Sequence, residues 1–306
     1  MQQGVIVKGV GGIYTIDLSD SESTIIAKPR GIFRKKEIAI SPLVGDMVFV
    51  SILPDGFGVI EKINDRKTVM IRPKVANVTQ ALVVFAYKEP DLHLDLLDRF
   101  IINCEAANVC PVIVFNKVDL LKGDEREEAR KIKEIYGKIG YNAIDISTYE
   151  GLGIDSAKEA LVGETTVFAG PSGAGKSSIF NAVCNEELME IGELSAKIRR
   201  GKHTTRHSQL IKLQKDSYIV DSPGFSSIHF EGIEAAQLKE LFREFEKCAE
   251  QCKFANCNHI DEPECGVKQG VLDGLIHAVR YKRYLVFYEE LRNGHRSKPR
   301  YLADKV

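Results

Sequence analysis

The chain has 306 residues, 44% of them hydrophobic and 28% charged, with a formal net charge of -1. That length suits two or three domains, each with its own core, and the composition excludes gross disorder. Near-neutral charge excludes a protein that coats nucleic acid through overall positive charge, so RNA binding must come from local patches. The start, Met1-Gln2-Gln3-Gly4-Val5, has no basic region followed by an apolar core. Apolar runs such as 81–87 fall far short of the roughly 20 residues that span a bilayer, so a cytoplasmic protein without a membrane partner is expected. Of seven cysteines, three crowd near the C-terminus beside a histidine. That pattern suits metal ligation in a reducing compartment better than a disulfide framework.

From Gly4 to about Thr68 the sequence reads as short strands and turns. Val5-Ile6-Val7 and Ile13-Tyr14-Thr15-Ile16 flank Gly11-Gly12, and Val48 to Ile52 meets Gly58-Val59-Ile60 across Pro54-Asp55-Gly56. An isolated hairpin is marginal in water, so a small closed barrel is predicted. Between the hairpins lie Lys28, Arg30, Arg34, Lys35 and Lys36. These suit either a nucleic-acid-facing loop of an oligonucleotide-binding barrel or a solvated surface loop.

From about Val69 to Phe230 apolar strands alternate with amphipathic helices, the pattern of a parallel α/β sheet. Ala81 to Phe85, Pro111 to Phe115, Ala143 to Ile146, Thr165 to Ala169 and Ser217 to Val220 read as strands, and Leu94, Leu97, Ile101 and Ile102 recur at helical spacing. After Phe230 the chain reads as helical, interrupted by a cysteine-rich loop. The expected division is a barrel over 1–68, a nucleotide domain over 69–230 and a helical domain over 231–306.

Gly170-Pro171-Ser172-Gly173-Ala174-Gly175-Lys176-Ser177 matches the full P-loop pattern after a strand, and Ser178 continues into a helix. The glycines let backbone amides close around phosphate oxygens and the helix N-terminus adds a favourable field. Lys176 can reach the β- and γ-phosphates and Ser177 can hold magnesium. Asp221-Ser222-Pro223-Gly224 follows the strand 218–220, where a P-loop enzyme places a magnesium-side aspartate and a γ-phosphate-sensing glycine.

Asn116-Lys117-Val118-Asp119 ends a strand, and the Asp119 carboxylate can accept from the N1 and N2 donors of guanine, a pair adenine lacks. Asn116 would brace the neighbouring loop, the Lys117 stem would lie along the base, and Ser147-Thr148 would hold the base through backbone amides. These base-reading elements precede the P-loop, so the usual linear order of a GTPase is rotated.

With this order the chain resembles the RsgA (YjeQ/YloQ) family of small-subunit-dependent GTPases over essentially its whole length. The resemblance implies an N-terminal OB-fold β-barrel, a central circularly permuted α/β P-loop GTPase domain and a C-terminal α-helical zinc-binding domain. It implies action in late maturation of the 30S ribosomal subunit, with 16S rRNA and GTP/GDP as partners, and a monomeric protein. Gly201-Lys202-His203-Thr204-Thr205 looks like the family's switch I, with Thr205 the favoured threonine on magnesium. Phe225 follows Gly224 and cannot orient a water, so catalysis needs another polar group. His203 is expected in that role, with His207 and His229 as alternatives.

Cys252, Cys257, His259 and Cys265 supply three thiolates and one imidazole, a set for one structural zinc ion. The first gap is wider than a two-residue knuckle but matches the family's pattern. Cys248 is the spare, read as a helix-face residue. Two rival readings share the P-loop: a small-molecule phosphotransferase, against which the guanine motif weighs, and an RNA-binding module in which GTP only props up structure.

Overall fold

The computed structural model describes residues 1–19, 21, 23–31, 41–70, 73–190, 208–221, 229, 230 and 232–294. Strands β1 (Gln2–Val10), β2 (Ile13–Leu18), β3 (Thr24–Pro29), β4 (Met47–Ile52) and β5 (Gly58–Ile63) pair in the order β1-β2-β3-β5-β4. β4 returns to β1, closing a five-stranded barrel. One strand can serve both ends of the closure because a bulge between Ile6 and Lys8 bends β1. Alternation sends Ile6, Ile16, Val48, Val50 and Ile60 inward, where they are fully buried. β3 occupies the start of the segment read as a basic loop, so Lys28 stands on a strand with its ammonium 5.5 Å from the Phe57 ring centroid. Arg34, Lys35 and Lys36 lie outside the described residues.

A two-stranded ribbon, β6 (Val69–Met70) and β7 (Val75–Ala76), leads into the second sheet. Here β8 (Gln80–Ala86), β9 (Cys110–Asn116), β10 (Asn142–Ile146), β11 (Thr165–Ala169) and β13 (Ser217–Asp221) are parallel, in the order β10-β9-β8-β11-β13. Alternate strand residues face opposite ways. Val83, Phe85, Ile113 and Phe115 pack under α1 (Leu94–Ala106) and α2 (Glu125–Ile139). Leu82, Val84, Val112 and Val114 pack under α3 (Ile154–Leu161) and α4 (Lys176–Glu190).

The sheet is not wholly parallel. β12 (Gln209–Gln214) runs antiparallel to β13, because Lys215 and Asp216 make a tight hairpin with Asp216 at φ 59°. β12 also pairs with β1 through Lys8 and Gln209, so barrel and nucleotide sheet form one continuous 11-stranded sheet.

Beyond Phe230, the first helical turns, Ala235–Leu241 and Arg243–Phe245, are 3-10 rather than α. α5 (Glu246–Ala249), α6 (Gly266–Leu272) and α7 (Ala278–Arg292) follow. Phe230, Leu238, Phe242, Phe245, Tyr284 and Phe287 form this region's core together with Ile102 of α1. Among the described residues no helix is long and apolar enough to cross a membrane.

Candidate nucleotide site and metal cluster

β9, β10, β11 and β13 end on the same edge of the parallel sheet and deliver Asn116, Ser147, Gly170 and Asp221 there. The carboxyl edge of such a sheet is where open α/β folds bind ligands. Gly170 turns the chain out of β11 at φ 127°, and a Cβ there would lie 2.1 Å from the Val84 carbonyl oxygen. Only glycine allows that approach. The loop then rises to α4, whose first residue is Lys176. Lys176 Nζ donates back to the carbonyls of Gly170, at 2.8 Å, and Pro171, at 2.7 Å. Partial burial pulls its ammonium down from the usual lysine value; an anionic phosphate beside it would favour the charged form. Ser172, Gly173, Ser177 and Ser178 are exposed, whereas Ala174 is buried under the loop.

The segments expected to read the base are tied to this loop. Asn116, 1% exposed, donates from Nδ2 to the Ala174 carbonyl at 2.9 Å. Gly175, at φ 96°, comes so close that a Cβ would sit 2.1 Å from the same Nδ2. Lys117 takes the left-handed conformation at φ 62° and its ammonium donates to the Glu89 carbonyl in the segment that follows β8. Asp119 is partly exposed and borders a cavity of about 710 Å³ that runs mainly along α2, past Arg126, Ala129 and Lys133 to Tyr141, and that no residue of 170–178 lines. Ser147 is fully buried; its N–H donates to Leu152 O at 3.0 Å and its Oγ accepts from Glu150 N at 3.1 Å. Those bonds curl Ser147 and Thr148 into a closed turn.

Two hard oxygen donors suited to magnesium stand on neighbouring element ends: Ser177 in the first turn of α4 and Asp221 at the end of β13. Burial pushes the Asp221 carboxyl up from its usual range, a cost that an adjacent dication would offset. His203, Thr205, His207, Gly224 and Phe225 lie outside the described residues, and His229 is exposed.

The four metal-ligand candidates converge. Their donor atoms in Cys252, Cys257, His259 and Cys265 all lie within 4.8 Å of one another. Cys252 Sγ is 3.9 Å from Cys265 Sγ, and His259 Nδ1 is 3.5 and 3.4 Å from these two sulfurs. Tetrahedral bonds of roughly 2.3 Å to sulfur and 2.0 Å to nitrogen separate neighbouring donors by about 3.5 to 3.8 Å, so the set fits zinc. The sulfurs also accept backbone N–H groups: Cys257 from His259, Cys252 from Gly266 and Cys265 from Lys268. Burial pushes the Cys257 thiol up to about 12, so a cation must displace its proton, and burial lowers His259 toward the neutral imidazole a metal needs.

The residues that hold this loop escaped the sequence. Glu262 accepts from the N–H of Asn258 and of Ile260, and Tyr281 and Tyr284 donate to the carbonyls of His259 and Asn258. Tyr281 and Tyr284 share one face of α7 at i, i+3 spacing, the one local sign of a common target. Cys248 belongs to α5 and is buried against Gly270, where a Cβ would lie 2.7 Å from its Sγ, which makes it a packing residue.

The profile of the RsgA GTPase family matches residues 63–231, and that of the RsgA N-terminal domain matches residues 3–60. A small ribosomal subunit biogenesis GTPase RsgA of Clostridium perfringens is 46% identical over 291 residues, covering 95% of this chain and 98% of the relative. One of Alkaliphilus metalliredigens is 42% identical over 298 residues, covering 97% of this chain and 100% of the relative. The crystal structure of YjeQ from Thermotoga maritima superposes with a TM-score of 0.84 at 35% identity, covering 96% of this chain and 99% of that one. That of YloQ, a circularly permuted GTPase, gives 0.83 at 34%, covering 98% and 97%.

Proposed function

Because this chain belongs to the RsgA GTPase family, we propose that it binds GTP at the rotated site, hydrolyses it to GDP and phosphate, and does so during maturation of the small ribosomal subunit. The observation that carries this reading is the Asn116–Ala174 hydrogen bond beside Gly175, which would join the base-reading and phosphate loops into one cradle. Asp119 would read guanine N1 and N2, while Lys117 and the backbone of Ser147 and Thr148 flank the ring. Lys176 would leave its carbonyl partners for the β- and γ-phosphates, joined by the backbone N–H groups of 172–178.

Ser177, Asp221 and Thr205 would hold magnesium, which neutralises charge developing between the β- and γ-phosphates. Gly224 would sense the γ-phosphate, and His203 would orient the attacking water in place of the glutamine that Phe225 excludes. Cys252, Cys257, His259 and Cys265 would bind one structural zinc ion that fixes the loop between α5 and α6. The barrel, proposed to span 1–68, would meet 16S rRNA, with the GTPase domain over 69–230 and the zinc domain over 231–306. Subunit docking would stimulate hydrolysis, and hydrolysis would release the protein from the subunit.

GTP turnover by zinc-loaded protein, alone and with isolated 30S or 50S subunits, tests the reading. Stimulation by 30S of at least about tenfold is expected, with little from 50S. A rate indifferent to 30S at low salt would defeat the ribosomal assignment and leave the GTPase intact.

A further inference from the structure

Among the described residues, the joint between barrel and nucleotide sheet has one backbone register pair, Lys8 with Gln209. Beside it lies a buried charge that the nucleotide chemistry does not use. Asp17, on β2, is 4% exposed. Its Oδ2 accepts from the Tyr218 hydroxyl at 2.5 Å, and its Oδ1 accepts from Lys212 Nζ at 3.0 Å. Burial raises the Tyr218 hydroxyl well above the usual tyrosine value, so it remains a donor at any physiological pH. Lys212 belongs to β12 and Tyr218 to β13, so one barrel carboxylate grips both strands of the hairpin.

That hairpin ends at the nucleotide site. Tyr218 precedes Asp221 by three residues on β13, a rise of about 10 Å. β13 is held by β11 on one side and β12 on the other, so displacement at Asp221 passes along a braced strand rather than being absorbed by a loop. Tyr218 and Val220 share a core with Ile6 and Ile16 of the barrel. A buried carboxylate deprived of its partners is strongly disfavoured, so β2 and the hairpin move together rather than independently.

We infer that Asp17, Tyr218 and Lys212 form a positioning unit through which the barrel and the nucleotide site sense one another. The unit rests on the reading above, in which Asp221 serves magnesium and the barrel faces the ribosomal subunit. Occupancy of the barrel by RNA shifts the hairpin and with it Asp221; by reciprocity, the nucleotide state alters the barrel's grip on RNA.

The test uses full-length, zinc-loaded wild type, Tyr218→Phe and Lys212→Met. Affinity for isolated 30S subunits is measured with a non-hydrolysable GTP analogue and with GDP, and nucleotide affinity is measured without subunits. In wild type the triphosphate form is expected to bind subunits about tenfold or more tightly than the diphosphate form. In both variants that ratio falls at least about threefold, while nucleotide affinity without subunits stays within about twofold of wild type. A joint that is only structural weakens subunit binding equally in both nucleotide states; a ratio retained in both variants overturns the proposal. A wild-type ratio near one defeats the functional reading itself and the proposal with it. Should Tyr218→Phe fail to fold, Lys212→Met decides the question, since it removes only the second donor to Asp17.

Discussion

The side-chain amide of Asn116 and the carbonyl of Ala174 lie 2.9 Å apart, joining the end of β9 to the phosphate loop 58 residues later. Glycine at 175 is part of the same contact, because a Cβ there would occupy the Asn116 amide's space. Asn116→Ala and Gly175→Ala are each expected to weaken binding of a fluorescent GDP analogue by roughly tenfold or more, the cost of one lost buried hydrogen bond or one displaced amide. Since both break one contact, the double variant is expected to be little worse than either single one. Strictly additive losses would show that the two loops bind independently.

Asp119 carries the base-reading assignment. Asp119→Asn is expected to cost GTP binding about 3 kcal/mol, because a carboxylate accepting two donors is replaced by an amide that opposes one of them. Xanthosine triphosphate offers the complementary group and is expected to bind the variant better than GTP does. Competition titrations with the two nucleotides settle this, and unchanged GTP preference would remove Asp119 from base recognition.

The pattern 170–177, the Asn116 to Asp119 run and the cysteine cluster were legible because their chemistry demands particular residues at short spacing. A phosphate loop needs its glycines, and zinc needs its thiolates. The barrel strands showed through alternation and turn residues. What stayed hidden depends on partners far away in the chain. Asp95, Asp98 and Arg99 on α1 give no local sign of burial, yet all three are buried: Asp98 meets Arg280 and Arg283 of α7, Arg99 meets Glu290 of the same helix, and Asp95 pairs with Arg99. Asp17 is hidden for the same reason, as is the antiparallel β12 that joins the sheet to the barrel.

The cysteine cluster makes a discriminating metal prediction. Wild type is expected to carry one zinc ion per chain, and Cys257→Ser or His259→Ala to carry almost none, with loosening of the loop between α5 and α6. Cys248→Ala is expected to keep its zinc in full, because Cys248 packs against Gly270 and stands outside the donor set. Metal analysis of the purified variants distinguishes these outcomes. Equal zinc loss in Cys248→Ala and Cys257→Ser would require a different ligand set.

The last prediction concerns how the C-terminal region is held to the nucleotide domain. Asp98, fully buried on α1, accepts from the Tyr136 hydroxyl at 2.8 Å and pairs with Arg280 at 2.6 Å and Arg283 at 2.9 Å. Arg280 also pairs with Glu244, and Arg99 pairs with Glu290 while lying 5.1 and 4.5 Å from the ring centroids of Phe230 and Phe287. Phe230 stands nine residues after Asp221, so the same network anchors the chain leaving the nucleotide site. Removing Asp98 takes a shared carboxylate from two buried guanidinium groups, and this asymmetry sets the magnitude. Asp98→Ala is expected to destabilise the docked C-terminal region by about 3 to 5 kcal/mol. Glu289→Gln on α7, which breaks the exposed pair with Arg292, is expected to change stability by less than about 1 kcal/mol. Urea unfolding followed by near-ultraviolet circular dichroism, with amide exchange over α7, compares the two. Equal, small effects would mean that apolar packing around Phe242, Tyr284 and Phe287 holds the region and that the buried charges are dispensable.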